Sequence, residues 1–182
     1  MRVGRAVAVV ALMVASSAAT WMYAEAQQRK LPALLSPADH LEILQLYGYY
    51  ARDVDSGSQR AASWMYTEDG VWDVEGTRYV GAAALAKYYA NVHETHKDGG
   101  LRHFATNPVV VPSEEGARGS IYMVQLSRKV KDGPISLDLF GKYEDRLVKT
   151  SKGWRFKERV WRSDTFEGDH TPVLPSPMAA VD

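Results

Sequence analysis

Apolar positions recur at helical spacing between Pro37 and Arg52. Leu41, Leu44, Tyr47 and Ala51 form one stripe, and Ile43, Tyr47, Tyr50 and Val54 form another. Steps of three and four residues put each set on one face of a helix. Ser36 stands where an N-cap belongs, with Pro37 at the first helical position and Asp39 in the first turn, and all three favour a helix start there. The predicted helix runs from Pro37 to about Arg52, and "DSGS" breaks it. A shorter helix is predicted from about Gln59 to Tyr66. "TEDG" then reads as a turn, with "VWDV" and "TRYV" as short strands around Glu75-Gly76. Gly81 opens a third helix, over about Ala82 to His93, and "HETHKDGG" follows as a polar loop.

Past that loop the period drops to two. Strand patterns run from His103 to Val111, Ala117 to Val130, Ile135 to Thr150 and Trp154 to Ser163, separated by "SEEG", Asp132-Gly133 and "SKG". Helices first and a meander of long strands afterwards is an α+β order. The expected architecture is a cone-shaped α+β barrel, with three N-terminal helices packed on a strongly curved, mostly antiparallel sheet. Side chains on such strands alternate between the enclosed cavity and the outside. One face of the first long strand carries His103, Ala105, Asn107, Val109 and Val111. The next offers Ile121, Met123 and Gln125, and the third Leu137, Leu139, Gly141 and Tyr143, whose leucines mark the buried side. In "WRFKERVWR" basic residues alternate with aromatics, so both faces of the last strand are expected to be partly covered.

The chain ends differ from this middle. Arg2 and Arg5, the apolar "AVAVVALMVASSAA" and Ala24-Glu25-Ala26 make the three parts of a secretory signal peptide. Residues 1–26 are therefore expected to be a leader, leaving export to the periplasm or medium, with an uncleaved membrane anchor as the alternative. Residues 27–36 read as a linker, 37–166 as the single domain, and 167–182, with three prolines, as an extended or disordered tail. There is no cysteine, hence no disulfide framework. Removing the leader takes away two arginines and one glutamate, leaving 20 basic against 21 acidic residues. That balance gives no electrostatic footprint for nucleic acid or for a membrane beyond the leader. The expected partner is a small hydrophobic molecule.

The chemistry centres on "LRHFATNPVVV". His103 and Asn107 are its strongly polar positions on one alternating face. Either His103 is a satisfied core histidine, or it points into a pocket and moves protons. Asp55 is equally a turn residue or a partner for it, and Tyr50 lies on the apolar face of the first helix. His93 and His96 have a spacing seen in metal sites, but no third ligand accompanies them. No metal and no cofactor are expected.

The stretch "ILQLYGYYARDVDSGSQRAASWMYTEDGVWDVEGTRYVG", with "RHFATNPVVV" and "GKYEDRLVKTSKGWRF", resembles the SnoaL-like branch of the nuclear transport factor 2-like superfamily. The members it is similar to are hexachlorocyclohexane dehydrochlorinase, scytalone dehydratase and bile acid 7α-dehydratase. The resemblance implies that His103 is the general base, that Asp55 pairs with it, and that Tyr50 takes the place of a catalytic tyrosine. Lys149 falls near an arginine of the dehydrochlorinase. Two positions depart from the pattern. Gln125 stands where the bile acid dehydratase has an aspartate, and Val74 stands where ketosteroid isomerases carry their carboxylate base, with Asp73 on the opposite face.

The resulting expectation is an exported, cofactor-independent lyase or isomerase acting on a small cyclic or aromatic molecule by His-Asp proton abstraction. His103, Asp55 and Tyr50 are the expected catalytic residues. Trp72, Ile121, Met123, Gln125, Leu139, Tyr143 and Asn107 are the expected substrate-binding ones. Two alternatives stay open: a non-catalytic hydrophobic-ligand-binding module of the same fold, and a structural subunit of a larger enzyme. A homodimer or homotrimer, packed through the outer face of the sheet, is the assembly the resemblance implies.

Overall fold

The computed structural model describes residues 34–57 and 64–164. Helix α1, Pro37–Asp55, begins as the sequence requires: the Ser36 hydroxyl accepts from Asp39 N–H at 3.1 Å, and the Asp39 carboxylate accepts from Ser36 N–H at 3.3 Å. This reciprocal pairing is a capping box. Replacing Ser36 by alanine removes it and is expected to cost about 1 kcal/mol, read as a lowered urea midpoint at unchanged slope. The buried stripe of α1 is Ile43, Leu46, Tyr47, Tyr50 and Val54. Leu41 and Leu44, on the rival stripe, are exposed. The helix also runs one turn past Arg52, which makes Asp55 its last residue.

Strand β1, Tyr66–Val74, absorbs "TEDG", and β2 is Thr77–Val80. Of the helix predicted from Gln59, residues 58–63 lie outside the described residues, and Tyr66 already opens β1. Helix α2, Ala82–His96, takes in half of the expected polar loop. Four long strands complete the fold: β3, Leu101–Ser113; β4, Gly116–Arg128; β5, Ile135–Thr150; and β6, Gly153–Ser163. Two of the three expected α-helices thus lie within the described residues; most of the other falls outside them, and Trp64, within its expected span, is helical. The leader, most of the linker and the tail lie outside them.

The strands form one sheet in the order β2-β1-β6-β5-β4-β3, antiparallel except for β1 beside β6. Helix α1 packs on β3 and β6, and α2 on β1 and β2. The sheet is broken by register shifts in every long strand pair. Each bulge adds a residue to one strand, bends it, and reverses which face the following side chains take. Three of these shifts decide the site.

In β3 the shift falls between Thr106 and Val109, where Asn107 has φ 54°. Left-handed backbone there turns Asn107 into solvent, and Val110 rather than Val109 packs on the core. In β5 the extra residue is Asp138, between the Gln125–Leu139 and Leu126–Leu137 pairs. Leu137 and Leu139 are not buried as their pattern suggested: they are 62% and 39% exposed. In β6 the extra residue is Lys157, since Leu147 pairs with Phe156 but Arg146 with Glu158. Without that shift Arg159 would share the outward face. With it, Arg159 turns into the core and is 1% exposed.

Candidate active site

All the elements that enclose the core end or begin together at one end of the cone. There α1, α2, β1, β4 and β6 finish, and β3 and β5 start. A cavity of about 370 Å³ opens at this end. Tyr50, Tyr89, Tyr143, Met123 and Trp161, all buried, form its floor. Val54, Val92, His96, Leu139 and Ser163, from the element ends, form its mouth. His103 and Gln125, paired across β3 and β4, make one wall. Of the expected binding residues, Trp72, Met123, Gln125, Leu139 and Tyr143 line the cavity. Two do not. Asn107 is exposed at the β3 bulge, and Ile121 is packed into the core.

Asp55 and His103 lie 48 residues apart in sequence and meet directly. His103 Nδ1 is 2.7 Å from Asp55 Oδ1, and the His103 main-chain N–H reaches the two carboxylate oxygens at 3.1 and 3.2 Å. The side chains are 7% and 12% exposed. A carboxylate accepts, so the short contact places the ring proton on Nδ1 and leaves Nε2 with its lone pair. Helix geometry explains why the extra turn of α1 matters. Five residues after Tyr50, Asp55 is rotated by about 140°, so Tyr50 faces the core while Asp55 faces β3.

Tyr50 is the last member of a chain of hydroxyls. Tyr66 and Tyr89 are 2.9 Å apart, and Tyr89 donates to Tyr50 at 3.0 Å. Each phenol has one proton. With that of Tyr89 committed to Tyr50, Tyr66 must donate to Tyr89, and the Tyr50 proton remains for whatever enters the cavity. Burial raises the Tyr50 hydroxyl above the ordinary tyrosine value, so it stays protonated and can donate at neutral pH.

Beneath this floor sits a buried charge. The Arg159 guanidinium lies 4.1 Å from the Tyr50 ring, 4.0 Å from Tyr143 and 4.3 Å from Phe156. Its Nε is 3.0 Å from Asp145 Oδ1. Burial pushes the Asp145 carboxyl up to about 6, with Arg159 opposing it. The guanidinium itself loses hydration by burial, but Asp145 and the surrounding tyrosines outweigh this and hold it charged.

Other expected features fall elsewhere. Val74 lines the cavity, whereas Asp73 faces away, bonded to Arg162 at 2.6 Å, and that contact lowers its carboxyl below the ordinary value. Lys149 is tied to Asp39 at 2.5 Å at the start of α1, outside the cavity lining. His93 is exposed, and among the described residues no three ligating side chains cluster as a metal site would require. Sequence reasoning missed Tyr89, Trp161 and His96. For the last a signal existed: Leu85, Tyr89, Val92 and His96 continue one stripe at steps of three and four, beyond the point where α2 was expected to stop.

Residues 36–160 match the SnoaL-like domain family. No curated protein matches the chain at a significant level. Among solved structures, Aln2 from a Streptomyces species is 20% identical with a TM-score of 0.65, over 73% of this chain and 96% of that one. A provisionally named scytalone dehydratase from Novosphingobium aromaticivorans is 22% identical with a TM-score of 0.62, over 70% and 85%. A provisionally named aromatic ring hydroxylase from the same organism is 28% identical with a TM-score of 0.63, over 71% and 91%. These likenesses agree with the curved sheet, its helical cover and the order of elements, and the chain belongs to the SnoaL-like domain family.

Proposed function

We propose that the cavity is the active site of a cofactor-independent lyase or isomerase acting on a small cyclic or aromatic carbonyl compound. His103 Nε2 takes a proton from the carbon beside the carbonyl, and the C–H electron pair moves toward the carbonyl oxygen. Tyr50 donates its hydrogen bond to that oxygen as negative charge develops. The enolate then expels a β-substituent with its bonding pair, the His103 imidazolium giving its proton to the departing group, so that an unsaturated product forms and the neutral ring is restored; in an isomerisation the proton returns to another carbon instead. Asp55 fixes the His103 tautomer and stabilises the imidazolium that forms.

The observation that carries this reading is the 2.7 Å contact between His103 Nδ1 and Asp55 Oδ1 on the cavity wall. The likeness to a provisionally named dehydratase supports the same reaction class. A second reading has one observation in its favour: Gln125, 7% exposed on the wall beside His103, supplies no acid. Under it, the cavity captures the same kind of molecule unchanged.

Native mass spectrometry of protein purified from its own host separates the two. An enzyme is expected to release substrate and product masses differing by the lost group, or to interconvert isomers when the recovered compound is added back. A single compound, recovered unaltered after incubation with fresh protein, would decide for the binding module.

Residues 1–26 direct export and are removed in the process, so N-terminal sequencing of the mature form is expected to begin at Gln27. It assembles as a homodimer or homotrimer through the outer sheet face, where Phe104 and Tyr122 are half exposed. Sedimentation of a Phe104→Lys, Tyr122→Lys variant is expected to give monomer.

A further inference from the structure

His96 closes α2 at the cavity mouth. Its Nδ1 lies 2.9 Å from the main-chain oxygen of Val92, one turn earlier. A carbonyl oxygen only accepts, so Nδ1 carries the proton and Nε2 holds a lone pair. With Nδ1 turned back onto its own helix, Nε2 is the nitrogen directed away from it. Among the described residues nothing bonds to that nitrogen. The cavity therefore holds two imidazoles in the same tautomer, each with Nδ1 anchored and Nε2 free.

What stands behind each ring differs. Behind His103 is the Asp55 carboxylate, which stabilises a cation once the ring takes up a proton. Behind His96 is a neutral amide oxygen, and among the described residues no carboxylate is paired with the ring. His103 is thus equipped to accept a proton, and His96 to accept a hydrogen bond. The mouth that His96 shares is formed by the apolar Val54, Val92 and Leu139 together with Ser163 and Glu75, whose carboxylate accepts from the Ser163 main-chain N–H at 2.5 Å. A hydroxyl entering beside those apolar side chains would lose its water there, and the His96 Nε2 is a neutral ring acceptor able to replace it, distinct from the Glu75 carboxylate that Ser163 engages.

We infer that His96 is a specificity-determining residue whose Nε2 accepts a hydrogen bond from a hydroxyl on the ligand. The ligand class is narrowed accordingly: a cyclic carbonyl compound bearing a hydroxyl on the part that lies toward the mouth, with its carbonyl toward Tyr50. This rests on the cavity being the binding site but not on any turnover there.

Calorimetric titration with tetralone and with tetralones carrying one hydroxyl on the aromatic ring tests it. Wild-type protein is expected to bind at least one hydroxy isomer about tenfold more tightly than tetralone itself, the worth of one well-made hydrogen bond. His96→Phe, which keeps a ring but no acceptor, is expected to lose that preference while still binding tetralone. His96→Gln, which restores an acceptor oxygen, is expected to regain part of it. A wild-type protein that binds all the tetralones equally, or a His96→Phe protein that keeps the preference, overturns the inference and leaves the cavity reading standing. If tetralone and every hydroxy isomer fail to bind wild-type protein, the cavity reading itself fails and takes this inference with it.

Discussion

His103→Gln is expected to lower turnover of the recovered substrate by about 10²–10⁴-fold, the range for loss of a positioned general base, with substrate affinity changed far less. The effect is on the transition state because glutamine fills the wall but has no lone pair of comparable basicity. Asp55→Asn should fall in the same range for another reason. An asparagine side chain can present its NH₂ to Nδ1, and the ring proton then moves to Nε2, where the base should be. The main-chain N–H of His103 would still find the amide oxygen, so β3 stays anchored to α1. Single-turnover kinetics with circular dichroism separates the two contributions. A folded His103→Gln protein with wild-type rates ends the proton-abstraction mechanism.

The second large effect is on stability. Arg159→Leu is expected to destabilise the domain by about 3–5 kcal/mol, because it strands Asp145 without its partner in the core. Burial already pushes Asp145 up to about 6 while Arg159 opposes the shift, so its loss drives the carboxyl further toward the neutral form. For a domain whose total stability is about 5–15 kcal/mol, that is roughly a fifth or more. Guanidinium is an ionic denaturant, so urea unfolding is the cleaner measurement. The double variant Arg159→Met, Asp145→Leu removes both charges and is expected to recover most of the loss. A single variant within about 1 kcal/mol of wild type would mean that Asp145 finds other hydrogen bonds. The guanidinium also lies against the Tyr50 and Tyr143 rings, so the same variant should loosen the cavity floor.

The predicted elements were right wherever a local signal was sufficient. Ser36, Pro37 and Asp39 placed the start of α1, because a cap is chemistry between neighbours. Glu75-Gly76 and Asp132-Gly133 placed turns, because left-handed backbone, seen at Gly76 and Asp132, is readily adopted by glycine and aspartate. The errors cluster where alternation was extended through a bulge. Leu137 looked buried, Asn107 looked inward, and Arg159 was not distinguished from the basic residues around it, whereas Leu139, on the unshifted side of its bulge, kept its cavity face and is exposed only because it stands at the mouth. A bulge leaves almost no trace in side-chain pattern, yet it reverses every position after it.

The functional site divides along the same line. The chain itself determined an α+β order with its sheet strands last, a near-even balance of basic and acidic residues, and a resemblance that singled out His103, Asp55 and Tyr50. Tertiary structure decided that Asp55 and His103 touch, since one more turn of α1 is needed to bring the carboxylate round to β3. It also decided that Tyr66 and Tyr89 leave Tyr50 its proton and that His96 shares the cavity. These contacts join residues 23 to 48 positions apart. Neighbour-to-neighbour chemistry is written along the chain, whereas which distant groups meet depends on where the bulges bend the sheet and how far each helix runs before it ends.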